Sequence, residues 1–268
     1  MRTLNLVTGA TDGIGLETAR QLSSLGATVL VHGRSEAKAR TAAAQVKGAV
    51  PVWADLADLA QVRSLAAQVE REEGTLAVLI NNAGVFLHER KTTADGRELT
   101  LAVNHDAPVL LTHLLLPRLR KAARARVVNV SSIAHSRGTV ALDDLDLSGH
   151  FDGYTAYAQS KLANVLFTRE LARRLGPSST VTTYALHPGV INTKLLRTGF
   201  SAMAGASLAD GAKTSVFCAT APELEGQTGL YYAAQREMGA SRVAQDDALC
   251  AKFYLLSCQR VGVTPLPG

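Results

Sequence analysis

Tyr157 and Lys161 stand four residues apart in a segment whose alanine, leucine, arginine and glutamate content favours a helix. Residues at positions i and i+4 project from one face of a helix, so the phenol and the ammonium would be neighbours. A free phenol titrates near pH ~10, and a nearby cation favours the phenolate. We therefore expect Lys161 to lower the pKa of Tyr157 towards the working range of a general acid/base. The same spacing also occurs by chance in helices without catalytic function.

A glycine-rich turn near the N-terminus strengthens the catalytic interpretation. Residues 4–7 form a strand-like apolar run, residues 8–15 contain three glycines, and a helical pattern follows over residues 16–25. Glycines allow a sharp turn and let a pyrophosphate approach the helix N-terminus, where free N–H groups and the dipole favour an anion. The Gly-x-x-x-Gly-x-Gly spacing differs from the Gly-x-Gly-x-x-Gly dinucleotide fingerprint, and a lone glycine cluster also occurs in ordinary loops.

The elements that must position these groups alternate along the 268 residues. The predicted strands are residues 4–7, 28–32, 50–53, 78–81, 127–131, 181–186 and 229–231. The predicted helices are residues 16–25, 36–46, 59–72, 93–121, 157–175 and 209–219, with a further helix ending near Ser257. This alternation predicts a doubly wound α/β fold of Rossmann type, a single domain whose mostly parallel sheet has helices on both faces. Ligands are expected at the carboxyl ends of the strands.

The motifs on these elements follow the order found in the short-chain dehydrogenase/reductase family, which the chain resembles over nearly its whole length. They are residues 8–15, Asn-Asn-Ala-Gly at 81–84, Asn104, Ser132, the Tyr157/Lys161 pair and His-Pro-Gly at 187–189. Residues 126–135 and the long insertion before Tyr157 resemble the retinol dehydrogenase-like branch. The resemblance implies a cofactor half at about residues 1–130 and a catalytic and substrate half at about residues 131–268.

The resemblance also implies a mechanism. Reduction of a carbonyl places hydride on carbon and negative charge on oxygen, so a donor must meet that oxygen and a proton must arrive. Tyr157 would supply the proton, Ser132 would orient the oxygen, Lys161 would bind the nicotinamide ribose, and Asn104 would hold a relay water. Ser131 is the competing assignment for Ser132.

The resemblance implies a set of cofactor contacts from both halves of the chain. They are Gly9, Thr11, Asp12, Gly13, Ile14, Gly15, Arg34, Asp55, Leu56, Asn81, Ala83, Gly84, Tyr157, Lys161, Pro188, Gly189 and Thr193. Relatives that use NAD carry an aspartate where this chain has Gly33, and Arg34 follows directly. A guanidinium holds a 2′-phosphate through paired, charge-assisted hydrogen bonds, so NADP(H) is expected in preference to NAD(H). Asp12 is an acid where several NADP-preferring relatives carry a basic residue.

Composition excludes other classes of function. The net charge is +5, but the densest basic run, residues 118–126, contains no aromatic residue for base stacking and is expected to end a helix in solvent rather than to bind nucleic acid. The seven histidines lack His-x-x-x-His spacing, so no metal is expected. The three cysteines have no Cys-x-x-Cys pair and should be reduced. Without an apolar run of about 18 residues, we expect no integral membrane segment and a cytoplasmic location.

The substrate is expected to be a small apolar ketone, aldehyde or alcohol. Residues 135–154 and 194–207 should wall the pocket, and the family resemblance implies that residues 199–207 form a mobile lid over the substrate. The apolar wall residues are Leu142, Leu145, Phe151, Leu195, Leu196, Phe200 and Met203. Retinoids, steroids and xenobiotic carbonyls all fit this wall, although membrane-bound retinol dehydrogenases often carry an N-terminal anchor and this chain starts at its first strand.

Two other functions stay open at this point. One is reduction of a carbon–carbon double bond, and the other is a regulator that binds NADP(H) without turnover. By analogy with the family, the protein is expected to form a homodimer or homotetramer through helices 93–121 and 157–175.

Overall fold

A computed structural model describes residues 2–199 and 204–268, which form one eight-stranded sheet in the order β3-β2-β1-β4-β5-β6-β7-β8. Neighbouring strands are parallel except for the β7–β8 pair. The strands are β1 Thr3–Val7, β2 Thr28–Gly33, β3 Val50–Trp53, β4 Thr75–Asn81, β5 Ala125–Val130, β6 Val181–His187, β7 Leu230–Ala233 and β8 Arg236–Met238. The predicted doubly wound α/β fold is thereby confirmed.

Helices cover both faces of the sheet. They are α1 Gly13–Ser24, α2 Glu36–Ala43, α3 Leu59–Arg71, α4 Leu99–Leu101, α5 Ala107–Leu119, α6 Gly153–Leu175, α7 Lys194–Gly199, α8 Leu208–Thr220 and α9 Asp247–Val261. A π-helical turn, Ala102–Asp106, joins α4 to α5, and 3₁₀ helices occupy Ile133–Arg137, Pro222–Leu224 and Val243–Gln245. Successive strand residues pack into opposite core layers: Leu6 of β1 faces α3 and α5, and Val7 faces α1 and α8. Burial on both faces explains why the strands read as continuous apolar runs.

The predicted helix over residues 93–121 was wrong at its start. Thr92 pairs with Glu98 in an isolated bridge, and the helix begins at Leu99. The buried Glu98 carboxylate accepts hydrogen bonds from the Thr100 and Leu101 N–H groups, both at 2.7 Å. A carboxylate at this position satisfies N–H groups that the helix itself leaves unpaired, so Glu98 fixes the true boundary.

The last strand, β8, was not predicted. All three of its residues are exposed, so no apolar alternation marks it. Its hairpin turn places Ala234 and Gln235 at φ values of 48° and 61°, without the glycine or asparagine that normally indicates such a turn.

The basic run is only partly in solvent, contrary to expectation. Arg118 is 7% exposed, and its guanidinium donates to the carbonyls of Val69, Glu72 and Gly74 at the end of α3. Arg126 donates to the Cys218 and Ala221 carbonyls at the end of α8. These two cations hold helix ends, where carbonyls lack intrahelical partners, and are not available as a nucleic-acid patch.

The C-terminal helix α9 packs on α5 and α6. Tyr254 of α9 stacks on Phe167 with ring centroids 6.0 Å apart, and its hydroxyl lies 2.9 Å from His113 Nε2. The homo-oligomer expected through these helices stays a prediction, and a partner would have to meet faces that α9 leaves uncovered. Within the described residues, one helix, Leu99–Leu119, is long and apolar enough to span a membrane, but 83% of its most apolar window is buried in the fold. That burial is what a core helix shows.

Candidate active site

A cavity of about 800 Å³ opens at the carboxyl ends of the parallel strands. Seventeen of the nineteen predicted site residues line it. They are Gly9, Thr11, Asp12, Gly13, Ile14, Gly15, Arg34, Asp55, Leu56, Ala83, Gly84, Ser132, Tyr157, Lys161, Pro188, Gly189 and Thr193. The remaining two, Asn81 and Asn104, lie behind its walls.

Helix α6 presents Tyr157 and Lys161 to the cavity. The helix begins at Gly153, earlier than predicted, because the Asp152 carboxylate accepts from the Thr155 N–H at 2.8 Å. Lys161 Nζ lies 5.4 Å from the centroid of the Tyr157 ring and donates to the Val130 carbonyl at 3.0 Å. The two groups are therefore neighbours, as their spacing predicted.

The two serines after β5 have different partners. Ser132 hydrogen-bonds the Tyr157 phenol, whereas the Ser131 hydroxyl donates to the Lys161 carbonyl at 2.7 Å. Ser132 also accepts from the Ala134 N–H as the cap of the following 3₁₀ helix. Ser132 is thus the serine placed to share a substrate oxygen with Tyr157, and Ser131 fastens β5 to α6.

Burial controls the protonation of the pair. Removal from solvent raises the pKa of Tyr157 to about 12, and the hydrogen bond from Ser132 opposes this rise. Burial lowers the pKa of Lys161 to about 8. The expected net lowering of the Tyr157 pKa was wrong for this structure, because desolvation of the phenolate is the largest effect on this group. Tyr157 is accordingly protonated at neutral pH and suited to donate a proton.

Asn104 lies on the π-helical turn and is fully buried. Its side chain accepts from the Val85 N–H at 2.7 Å and donates to the Val85 carbonyl at 3.0 Å and to Ser160 Oγ at 2.9 Å. Asn104 therefore joins the loop after β4 to α6, the helix that carries Tyr157 and Lys161. Single π turns inside α-helices are frequent at functional sites.

Gly9 and Gly15 of the glycine-rich turn have no space for a side chain, and a Cβ atom on Gly9 would lie 2.7 Å from Ala83 Cα. A Cβ atom on Gly15 would lie 2.3 Å from the Gly9 carbonyl oxygen and 2.4 Å from Asn82 Nδ2. The cap residue of α1, Asp12, makes no side-chain hydrogen bond to the first turn of that helix. A helix N-terminus without a side-chain cap, facing a cavity, fits the pyrophosphate of a dinucleotide.

The end of the cavity next to β2 and β3 carries Arg34, Lys38 and Asp55, and it leaves no space for a side chain at position 33 without a shift of its neighbours. A Cβ atom on Gly33 would lie 2.7 Å from Thr11 Cγ2 and 2.9 Å from the Ala39 nitrogen, so a carboxylate there would displace these neighbours. Arg34 and Lys38 are both exposed and line this end. Sequence reasoning missed Lys38, although its position four residues after Arg34, on the first turn of α2, would have indicated it.

Sequence reasoning also missed His32, which holds together the ends of three strands. Its Nδ1 accepts from the Gly9 N–H at 3.0 Å, so Nε2 carries the proton and donates to the Ala54 carbonyl at 3.1 Å. Burial lowers the pKa of His32 to about 4, which keeps the ring neutral. No pattern in the sequence distinguishes this histidine from an ordinary strand residue.

The depressed pKa of His32 predicts acid sensitivity. Below pH ~6.5 the His32 imidazole is protonated in the unfolded chain, whereas in the folded protein it becomes protonated only near pH 4. Between these two pH values, this group therefore reduces the free energy of unfolding as the pH falls. Urea unfolding at several pH values should give a shallower pH slope for His32→Asn than for the wild type. His105 and His187 contribute a residual slope, because burial lowers the pKa of each to about 4 as well. Equal slopes for the variant and the wild type would contradict the role given to His32.

The Asn81 side chain has structural partners and does not line the cavity, and the cofactor contact expected of this residue stays a prediction. It is 2% exposed, and its amide donates to Thr112 Oγ1 at 3.2 Å and to Asn129 Oδ1 at 2.8 Å. These bonds connect β4 with β5 and α5. The strand-end position suggested cofactor binding, but the side chain points into the polar interior.

The end of the cavity near Tyr157 has apolar walls. Leu195, Leu196, Val190 and Ile133 line it, and the Phe86 ring packs 5.5 Å from the Tyr157 ring. The other predicted wall residues lie elsewhere: Leu142 and Leu145 pack in the cluster between α6 and α9, and Phe151 does not line the cavity. Phe200 and Met203, with part of the predicted lid, lie outside the described residues. Across residues 2–199 and 204–268, no cluster of three or more metal-ligating side chains occurs.

Comparison with known proteins agrees with this geometry. Residues 4–204 match the short chain dehydrogenase family. The chain belongs to that family. It is 41% identical to retinol dehydrogenase 12 of Bos taurus over 96% of this chain and 86% of that protein. A crystal structure from Mycobacterium paratuberculosis superimposes with a TM-score of 0.83 at 36% identity, covering 100% of this chain and 96% of the other.

A second solved structure, NADPH-bound carbonyl reductase from chicken fatty liver, has a TM-score of 0.69 at 27% identity, covering 90% of this chain and 99% of the other. The short-chain dehydrogenase described here is therefore an oxidoreductase of the retinol dehydrogenase-like kind, which acts on alcohol or carbonyl groups of a small molecule with a nicotinamide cofactor.

Proposed function

We propose that this short-chain dehydrogenase transfers hydride between NADP(H) and an apolar ketone, aldehyde or alcohol, with Tyr157 as general acid/base. The observation that carries the proposal is one continuous cavity with Arg34 and Lys38 at one end and Tyr157, Ser132 and apolar side chains at the other. The cations suit a 2′-phosphate, and the apolar walls suit a substrate with a single polar group at its reacting end.

The chain's own residues supply positioning and the proton. The bound cofactor supplies or accepts the hydride. Ser132 and Tyr157, already hydrogen-bonded to each other, would converge on the substrate oxygen, and the protonated phenol would donate as negative charge develops there. Lys161 adds positive charge beside the phenol, which stabilises the phenolate left after proton transfer.

The relatives support the substrate class. The curated relatives at 36–41% identity are named retinol dehydrogenases, and retinol is a long apolar alcohol. Ile133 is 60% exposed and Val190 is 40% exposed at the cavity, so apolar surface continues beyond the reacting position. Long apolar alcohols and aldehydes are accordingly the first substrates to assay. Product analysis separates carbonyl reduction from reduction of a conjugated carbon–carbon double bond, the second candidate reaction.

Calorimetric titration with NADPH and NADH tests the cofactor preference. Charge-assisted hydrogen bonds contribute about 1.5–3 kcal/mol each, so the Arg34→Gln/Lys38→Gln double variant should weaken NADPH binding about tenfold or more. NADH binding should change little, because NADH lacks the 2′-phosphate. Arg40→Gln is the matched control, since Arg40 is exposed on the same helix but pairs with Glu36 and does not line the cavity. Wild-type protein that binds NADH as tightly as NADPH would overturn the preference.

A further inference from the structure

A network of buried, hydrogen-bonded polar groups extends from Lys161 into the core. The Val130 carbonyl that accepts from Lys161 Nζ also lies 3.4 Å from Asn164 Nδ2. Asn164 Oδ1 lies 3.2 Å from His105 Nδ1, and His105 Nε2 lies 2.8 Å from Ser257 Oγ. The network therefore connects the proposed catalytic lysine, through α6 and the π turn, to the C-terminal helix α9.

We propose that Asn164 and His105 are positioning residues that hold the Val130 carbonyl, and through it the Lys161 ammonium, in place for proton transfer. The proposal rests on the proposed function of Lys161 beside Tyr157. Neither Asn164 nor His105 touches the cavity, so neither is a catalytic residue.

The directions of the hydrogen bonds are mutually consistent. With Asn164 Nδ2 towards Val130, its Oδ1 faces His105 and requires a proton on Nδ1. His105 Nε2 is then an acceptor 2.8 Å from Ser257 Oγ, and the Phe253 carbonyl, 2.9 Å from the same hydroxyl, is the other acceptor for its single proton. Asn164 and His105 each donate one hydrogen bond and accept another, so rotation of the amide or loss of the ring leaves a buried polar atom unpaired.

Burial makes this arrangement rigid and uncharged. Asn164 and His105 are each 1% exposed, and Ser257 is fully buried. Burial lowers the pKa of His105 to about 4, so the ring carries no charge that would repel Lys161. The His105 ring is also held between Phe167 and Phe253, with centroid distances of 6.0 and 5.1 Å. This neutral, packed network can therefore fix the position of the Val130 carbonyl without itself titrating.

The test measures Lys161 directly in the protein without cofactor. Its side-chain NMR signal, assigned with a Lys161→Met variant, is titrated in the wild type and in Asn164→Asp. A carboxylate at position 164 would face the same carbonyl as the ammonium and favour its charged form, so the proton dissociation constant of Lys161 should fall about tenfold or more. An unchanged constant would show that position 164 does not reach Lys161 and would overturn the proposal.

Gln159→Glu is the matched control. Gln159 is also 1% exposed on α6, and its amide also donates to a backbone carbonyl, that of Leu145 at 2.8 Å. This carboxylate replaces an amide of the same kind but one that is not bonded to Val130. The Lys161 constant should change much less in Gln159→Glu than in Asn164→Asp, and an equal change would show a general effect of buried charge and overturn the specific role.

A second pair of variants keeps the charge constant. His105→Leu removes the donor to Asn164, whereas His105→Asn supplies an amide N–H near the position of Nδ1. We expect kcat to fall about tenfold to a hundredfold in His105→Leu with KM changed far less, and to recover substantially in His105→Asn, because small displacements of a catalytic group produce losses of this size. Equal kcat in the two variants would show that the hydrogen bond from His105 to Asn164 does not help to position Lys161.

The outcomes distinguish this proposal from the function on which it rests. If wild-type protein turns over no alcohol or carbonyl substrate, the proposed function fails, while the Lys161 titration still decides whether Asn164 reaches the lysine. If turnover is normal and the titration shows no response to Asn164→Asp, the positioning proposal alone fails.

Discussion

Replacement of Tyr157 by phenylalanine should reduce kcat by about 10²–10⁴-fold, the contribution typical of a positioned general acid/base. The phenol is the protonated group at the cavity that hydrogen-bonds Ser132, and burial raises its pKa to about 12, so it can donate a proton throughout the neutral range. Phenylalanine keeps the ring that packs against Phe86 and Lys161 but has no proton to donate. The loss should therefore appear in kcat, with NADPH affinity within a few-fold of the wild type.

Tyr154→Phe is the matched control for this substitution. Tyr154 lies one helical turn before Tyr157 on α6 and also lines the cavity, but it has no lysine four residues further along. Its variant should keep most of the wild-type kcat. Steady-state kinetics with an apolar aldehyde and a parallel binding titration measure both quantities. A Tyr157→Phe enzyme with near wild-type kcat would contradict the mechanism, whereas an equal loss in the two variants would indicate that the damage lies in packing rather than in proton transfer.

The pH dependence of the reduction follows from the same groups. Lys161 loses its proton with a pKa of about 8, well below the pKa of Tyr157. The positive charge that stabilises a phenolate is therefore the first to disappear as the pH rises. This order separates the role of the lysine from that of the tyrosine, which the four-residue spacing alone could not do.

Most of the fold could be predicted from the sequence because strands buried on both faces give continuous apolar runs. The residues at the cavity could be predicted for a different reason. Glycines at tight turns and a tyrosine–lysine pair on one helix face are patterns of residues close together in the sequence. Lys38 belongs to this local kind, since it lies one helical turn after Arg34. His32 and Asn164 do not, because their partners are 22 or more residues away in the sequence and only the tertiary structure brings them together.

The pKa of Tyr157 was mispredicted for a related physical reason. Helical spacing reports that a cation is near, but it carries no information about how completely the helix is covered. Ala134 and Phe86 pack against Tyr157, and burial of the phenol is the largest effect on its pKa. Asn81 is the converse case, since its strand-end position suggested a ligand contact and its buried partners Thr112 and Asn129 make it part of the core.

Removal of the Asp106 carboxylate should be the most destabilising single change outside the apolar core. Asp106 is fully buried on the π turn and accepts from Arg97 Nη1 at 3.0 Å and from Arg260 Nε and Nη2 at 3.2 and 3.0 Å. The guanidinium groups are themselves largely buried, with side chains 10% and 13% exposed. Asp106→Ala leaves both cations without their shared partner, and loss of one member of a buried ion pair typically reduces the free energy of unfolding by about 3–5 kcal/mol.

An exposed ion pair provides the control and explains the expected difference. Arg124 and Glu225 approach to 2.7 Å, closer than any contact of Asp106, but their side chains are 71% and 55% exposed. Water and salt screen such a pair, so Glu225→Ala should change the free energy of unfolding by about 1 kcal/mol or less. Urea unfolding of both variants and the wild type measures the two effects, and equal effects would contradict the role of burial. Asp106 directly follows Asn104 and His105, whose side chains contact Ser160 and Asn164 of α6. A large effect at Asp106 would therefore also mean that the ion network stabilises the π turn that holds these contacts.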